Sequence, residues 1–531
     1  MSSNQLMSSE ESRQEGAAAA NLEESCDALT IDEMLDLHVG HCGRSQFFHF
    51  MVSSAAWMPA AFLTLMSIFT SRMPEWACTA SNGCTAEDGK LQNLCSLARE
   101  DWEWVDKTAS IVSEWNLICE DEWKVQLADS MFFAGFFFGA GMLGQLADIR
   151  GRWFALYASF MFSGVGAGLS VLCFGFWQFF MCKFILGFGC GGIGVASFVL
   201  STEPLGAKSR ATLGIATQYW WASGICIMSG VAAVMTKWRH FSIFIVVFTA
   251  IYCVVSAPLL KESPRWLLIS GKPEKALEML TGLAKGNKMT IPAGGLPPLK
   301  LPASTQTASI RAIFPYPALR LRLFAMGFVF VANSIVYYGL SLNVGSLGGS
   351  IYLNSFLSGL VEMPSHAFAQ VSVTVVGRPR TLIFLLAIAS AGCVLSAFAT
   401  GATQTAVALV GRFGIAASFN MIFLYTTELF PTIVRSAALG SCSLVARIGG
   451  IAAPQIILFR RFHHSLPSLI FGATALAACF VATLLPETKG VVAEDSLEGF
   501  AKQALSDRGS RRFVQLEVND DEGEETLPHN A

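Results

Sequence analysis

Two stretches decide the fold: TEPLGAKSR at residues 202–210 and TELFPTIVR at residues 427–435. Each opens on Thr-Glu and closes on Arg, so Glu203 and Arg210 recur 225 residues on as Glu428 and Arg435. Glu262 in KESPRW recurs at the same interval as Glu487 in PETKG. Gly151-Arg152 recurs, one residue out of register, as Gly377-Arg378. Long apolar stretches separate these charged marks. A duplicated membrane bundle with matching charges at its helix ends is a plan of two parallel repeats.

Composition agrees with that plan. The 531 residues are 53% hydrophobic and only 14% charged, where soluble domains carry about 25% charge. Twelve stretches are long enough to span, at about 20 residues each: 46–69, 127–147, 153–174, 177–201, 212–235, 241–260, 323–342, 348–374, 381–401, 404–427, 437–459 and 465–485. The chain is therefore expected to be an all-α integral membrane protein of two six-helix repeats. The expected parts are a leader 1–45, a first bundle 46–260, a linker 261–320 with short helices, a second bundle 321–486 and an acidic tail 487–531.

Orientation follows from Lys and Arg in the short connections. Those after spans 2, 4, 6, 8 and 10 hold Arg150, Arg152, Lys208, Arg210, Lys261, Arg265, Arg378, Arg380 and Arg435, and those after spans 3, 7 and 9 hold none. Both termini are expected in the cytosol. Residues 1–43 are polar and acidic, so no secretory signal precedes the first span. The leader is expected to be disordered to about residue 27, with LTIDEMLDLHVG at 29–40 an amphipathic helix on the membrane interface. The tail 513–526 reads as a solvated acidic segment.

Segment 70–125 between the first two spans then lies on the far side. It holds Cys78, Cys84, Cys95 and Cys119. An even number in an oxidising compartment predicts two disulfides, with three pairings open. The cysteines within spans read as small apolar residues.

Ionisable groups deep in a span are costly and mark function. Arg447 lies ten residues into the eleventh span, Glu362 mid-span in the eighth with Pro364 and His366 after it, and Arg412 a third of the way into the tenth. A midplane guanidinium can hold a carboxylate with two hydrogen bonds and repels a simple cation. Glu362 can answer a quaternary ammonium, or pair with Arg447 or Arg412. Lys183 near the start of span four reads as a residue reaching to the interface. Among Tyr219, Trp220, Trp221, Tyr337 and Tyr338, Tyr338 and Trp221 are the favoured aromatic partners for an ammonium group. The glycines 187, 189, 191, 192 and 194 of span four read as close-packing positions.

GQLADIRGRW at 144–153 fits the cytoplasmic motif G-x-L-x-D-R-x-G-R-K of the major facilitator superfamily, through Gly144, Leu146, Asp148, Gly151 and Arg152. With TEPLGAKSR, ESPRWL, YTTELFPTIVR and LLPETKG in order, and with SEWNLIC and YYGLSL, the chain resembles the organic cation/carnitine/anion transporter family of that superfamily over residues 30–490. It is most similar to the plant organic cation/carnitine transporters. Lys261 stands where that family normally has Pro. The resemblance implies the twelve-helix major facilitator fold. It makes Asp148, Arg152, Glu203, Arg210, Glu428 and Arg435 gating residues on the cytosolic side, paired when the protein faces outward and apart when it opens inward. At the position of Arg447 the family's cation carriers tend to have Asp and its anion and carnitine carriers Arg.

The expected function is thus secondary transport of a small organic cation or zwitterion, carnitine-like, through a site formed by Arg447, Glu362, Arg412, Tyr338 and Trp221. Organic-anion transport and a non-transporting receptor on the same scaffold are the alternatives. No G-x-x-x-x-G-K-[ST] pattern, metal-ligand cluster or nucleophile constellation occurs, so no ATP-driven pump, resident metal, cofactor or enzyme is expected. Span one has no Asp or Glu; coupling to protons, through Glu362 or His366, or to sodium is left open. The expected partners are the solute and membrane lipid, without nucleic acid, for a monomer in the plasma membrane, with the vacuolar membrane as alternative.

Overall fold

The protein, seen as a computed structural model, is described over residues 28–79, 94–300 without Ser96 and Ala293, 309–490, and at Leu497 and Phe500. Most of the predicted disordered leader, the tail 513–526 and Cys84 lie outside the described residues. Twelve long helices carry the chain: α1 (Arg44–Thr70), α2 (Trp123–Arg150), α3 (Arg152–Val171), α4 (Phe176–Thr202), α5 (Ala207–Val234), α6 (Trp238–Ser256), α7 (Pro317–Leu342), α8 (Ile351–Val375), α9 (Arg378–Ser396), α10 (Gly401–Leu429), α11 (Thr432–Ile457) and α12 (Leu466–Ala482). Nine are long and apolar enough to cross a membrane; α5 and α8 carry more polar residues and α12 is shorter. Gly135 and Gly139 of α2 abut carbonyls of Phe184 and Phe188, and Gly187 of α4 abuts that of Phe132. A side chain at any of these would push α2 and α4 apart.

The repeated charges build the same clamp twice. Gly151, at φ +106°, and Gly377, at φ +104°, turn the chain into α3 and α9 with a backbone only glycine adopts freely. The space a Cβ would fill is taken by the carboxylates of Glu262 and Glu487. Glu262 accepts from the N–H of Arg152 at 2.9 Å and Trp153 at 3.1 Å, and Glu487 from that of Arg378 at 3.0 Å. Each acid thus sits at the positive end of a helix. Arg152 then reaches Glu203 at 3.7 Å, and Arg378 grips Glu428 with two bonds of 2.8 and 2.7 Å. Burial pushes the Glu487 carboxyl up, but its backbone N–H bonds outweigh that and hold it below the usual range. The 225-residue spacing is therefore the spacing of two copies of one helix-end clamp.

We call the end bearing these clamps the motif end and the opposite end the cap end. At the motif end the helix expected on the membrane interface forms, but its apolar side packs on protein. Residues Ile31–Val39 place Met34, Leu35 and Val39 against Trp266, Leu280 and Ala284 of the linker helices Pro264–Ile269 and Pro273–Gly286. Leu29 bridges in parallel to Leu299. Asp32 accepts from Arg265 at 2.5 Å and Arg210 at 2.9 Å. Partial burial pushes the Asp32 carboxyl up, but Arg265 and then Arg210 outweigh it and hold it below its ordinary 3.8. A lowered pKa stabilises above the unfolded value, so this strap is in force at neutral pH and is lost as pH falls through the lowered value. Each half-exposed pair contributes under about 1 kcal/mol. Asp32→Asn should therefore leave global melting nearly unchanged and speed protease cleavage near residues 29–40, an increase that wild type shows only in strong acid.

At the cap end, strands β1 (Trp76–Cys78) and β2 (Trp102–Trp104) pair antiparallel. Trp76, Trp102 and Trp104 pack edge to face at 6.3 and 5.0 Å. Cys95 and Cys119 form a disulfide, and Cys78 is disulfide-bonded too. Glu114 anchors the cap to α6 through Arg239 and the indole of Trp238, both at 2.6 Å. The Cys95–Cys119 bridge spans 24 residues, a loop whose closure is worth about 3 kcal/mol in the chain-entropy account. Cys95→Ser should expose the cap to proteolysis roughly 100-fold faster under local-unfolding conditions while the helical melt stays in place.

The two six-helix bundles meet through α2 with α11 and α5 with α8. Ser130 donates to the carbonyl of Ile451 at 2.8 Å, Gln455 donates to Ser130 at 2.8 Å, and Ser229 donates to Ser355 at 2.9 Å. Tyr352 stacks on Phe69 at 5.7 Å and bonds Arg72. These residues lie in the cap-end halves of their helices, or, for Arg72, just beyond the cap end of α1. Among the described residues, the hydrogen bonds and ion pairs between bundles lie there or at the centre, and none of the motif-end pairs joins one bundle to the other. The cap end is thus sealed.

Candidate substrate site at the centre of the bundle

Midway along the helices α7 brings Tyr337 and Tyr338, α8 Glu362, α10 Arg412 and α11 Arg447 to the interior, facing Trp221 of α5 and Phe133 and Phe136 of α2. Glu362 is 0% exposed and Arg412 3%. Of the two pairings the sequence leaves open, the chain uses Glu362 with Arg412, which are in direct hydrogen-bond contact. The Tyr337 hydroxyl donates to the same carboxylate oxygen at 3.0 Å and accepts from the indole N–H of Trp221 at 2.6 Å. Arg412 also donates to the Tyr337 carbonyl at 2.8 Å and to Ser341, and lies 4.0 Å over the Tyr337 ring. One chain of bonds therefore runs Trp221–Tyr337–Glu362–Arg412 across both bundles.

Arg447 stands apart from it. Its guanidinium lies 4.2 Å over the ring of Phe136 and interacts with the Tyr338 hydroxyl. Its buried Nε has no hydrogen-bond partner, and it makes no ion pair among the described residues. Tyr338 packs on Phe133 at 4.5 Å and on Tyr337 at 5.4 Å. The charge count at the centre follows. Glu362 is answered by Arg412, and Arg447 leaves one positive charge walled by aromatic rings. Such a site can hold an anionic group with directed hydrogen bonds, while rings accept an alkylammonium on their faces.

The gating candidates are arranged by bundle. Asp148 pairs with Arg152 at 3.1 Å, Arg152 with Glu203, Arg210 with Asp32, Arg378 with Glu428, and Arg435 donates to Thr432 at 3.2 Å. His366 meets Asn420 at 3.4 Å and the Tyr219 ring edge-on at 6.0 Å. Lys183 does not reach the interface: it is 1% exposed, donates to Ser67 at 2.6 Å and faces Asp129 at 3.7 Å. Sequence reasoning missed Asp129; the signal was an acid inside span two, in LADSMFF. It also missed Phe136, about two turns further along α2.

The model of the family described as "Sugar (and other) transporter" matches residues 63–500. Organic cation/carnitine transporter 4 of Arabidopsis thaliana is 35% identical over 488 residues, covering 89% of this chain and 91% of that protein. The chain belongs to the organic cation/carnitine/anion transporter family of the major facilitator superfamily. A solute carrier family 22 member 15-like protein of Xenopus laevis is 31% identical over 468 residues, covering 85% of this chain and 94% of that protein. In fold, the inward open conformation of the xylose transporter XylE from E. coli superposes with a TM-score of 0.61 at 16% identity, over 84% of this chain and 98% of that one. This family member is accordingly a multi-pass membrane transporter of the major facilitator fold, and not an enzyme.

Proposed function

We propose that the chain carries a small organic zwitterion of the carnitine kind by alternating access, with Arg447 holding the carboxylate. The observation that carries this reading is the unpaired guanidinium of Arg447 beside a Glu362 already bound to Arg412 and Tyr337. A solute carboxylate supplies the counter-charge Arg447 lacks, and the rings of Tyr338 and Trp221 offer their faces to a quaternary ammonium. A simple organic cation fits less well, because the centre has no free negative charge to offer it. The name of the Arabidopsis relative supports the zwitterion. The pairing of Glu362 favours organic anions as a second reading.

The sealed cap end and the motif-end pairs, none of which joins the two bundles, support a state open toward the motif end, which the Lys/Arg distribution assigns to the cytosol together with both termini. The disulfide-bearing cap then faces the outside, at the plasma membrane. Uptake of labelled carnitine, tetraethylammonium and an aromatic carboxylate by oocytes tests the reading. Carnitine uptake above mock controls that excess carnitine suppresses, with little tetraethylammonium uptake, is expected. Uptake of the aromatic carboxylate alone selects the anion reading, and uptake of tetraethylammonium alone overturns both.

A further inference from the structure

A second buried acid lies outside the central site, under the cap. Asp129 of α2 is 7% exposed and lines the cap-end cavity of about 770 Å³ together with Ser67, Gln126 and Arg460. Its Oδ1 lies 3.7 Å from Nζ of Lys183, too far for a hydrogen bond, and has no hydrogen-bond partner among the described residues. Lys183 gives its short bond to Ser67 instead. One turn earlier on the same face of α2, Oε1 of Gln126 is a buried acceptor that also has no partner. Two buried acceptor oxygens three residues apart on one face of α2 thus lack a close donor, although the Ser67 hydroxyl is turned toward the carboxylate. That costs free energy which a single added proton would relieve, because a carboxylic acid donates where a carboxylate only accepts.

Position gives that proton a consequence. Gln126 and Ser130, on either side of Asp129, are the residues through which α2 is bonded to Gln455 and Ile451 of α11 in the cap-end seal. The charged group facing Asp129 is Lys183 of α4, and from α1 the hydroxyl of Ser67 faces it. Glu75, Arg72, Asp106, Glu122 and Arg460 stand around the cavity. Glu362, the other buried acid, is held by Arg412 and Tyr337 and does not line this cavity.

We propose that Asp129 and Gln126 form a proton-binding site beneath the cap, and that sealing of the cap end takes up one proton from that side. Asp129 gains a hydrogen, Gln126 accepts it, and Lys183 keeps its own proton and its bond to Ser67. When α2 parts from α11 the carboxylate meets water and releases the proton. Acid on the cap side therefore favours the sealed state. The inference rests on the transporter fold and its sealed cap end, and is independent of the substrate.

Cys226 reports on the seal, since its thiol lies 3.6 Å from the carbonyl of Phe356 where α5 meets α8. In the full chain in proteoliposomes, alkylation of Cys226 by an impermeant maleimide from the cap side is expected to be several-fold slower in mild acid than at neutral pH. Asp129→Asn, whose amide donates to Gln126 without a proton from solution, should be slow at both pH values. Glu122→Gln should keep the wild-type dependence. If Asp129→Asn retains the wild-type pH dependence, or if Glu122→Gln abolishes it, the proposal is overturned. Should Asp129→Asn fail to fold, the double variant Asp129→Asn/Lys183→Gln removes both charges of the pair. Loss of the pH dependence in that variant supports the site and its persistence overturns it.

Discussion

Glu362→Gln is expected to lower the thermal unfolding midpoint of the purified protein sharply and to reduce transport with it. The substitution leaves the Arg412 guanidinium buried at 3% exposure without its counter-charge. Removing one partner of a buried ion pair costs about 3–5 kcal/mol, because the remaining charge has given up water and has nothing in return. Tyr337 and Arg412 then share one uncharged amide oxygen in place of a carboxylate, so the 3.0 Å bond of Tyr337 weakens and the Trp221–Tyr337 link between the bundles loosens. The double variant Glu362→Gln/Arg412→Gln should recover much of the stability, since no buried charge remains. Differential scanning fluorimetry of the two variants beside wild type checks both statements. A Glu362→Gln protein as stable as wild type would mean that the acid is not charged in the pair.

Arg447→Gln should behave in the opposite way. Arg447 has no ion pair to break, so stability should stay near wild type or rise. Carnitine uptake should suffer instead. A charge-assisted bond from guanidinium to carboxylate is worth about 1.5–3 kcal/mol, which is roughly a 10- to 100-fold rise in KM or loss of kcat/KM. Concentration-dependent uptake, normalised to protein at the membrane, measures it. The two variants therefore separate the roles of the central charges: loss of Glu362 damages the fold, and loss of Arg447 damages recognition.

The architecture was legible because its signals are linear. Charges 225 residues apart, and Gly-Arg turns followed by a distant Glu, mark helix ends directly, and helix ends are where a membrane chain must place its charges. Depth was legible too: Arg447, Glu362 and Arg412 fall at the centre as their positions along the spans require. Partner choice was not, because depth along a helix does not give the direction a residue faces. Whether Glu362 meets α10 or α11 depends on how the helices turn toward one another, which tertiary packing decides. Asp129 and Lys183 lie close to the cap-end ends of their spans, where charges commonly reach water, so sequence gave no sign that they would face each other under the cap. The helix at Ile31–Val39 shows a third limit. Its apolar face announces burial but not the burying partner, and the linker helices take the place of lipid.

The central claim is that Arg447 reads the carboxylate of the substrate, and the charge-swap Arg447→Asp tests it most directly. Oocytes expressing wild type and Arg447→Asp, matched for protein at the membrane, are given labelled carnitine and labelled tetraethylammonium. Loss of carnitine uptake together with a gain of tetraethylammonium uptake is the predicted result. Unchanged selectivity in well-expressed Arg447→Asp would contradict the account.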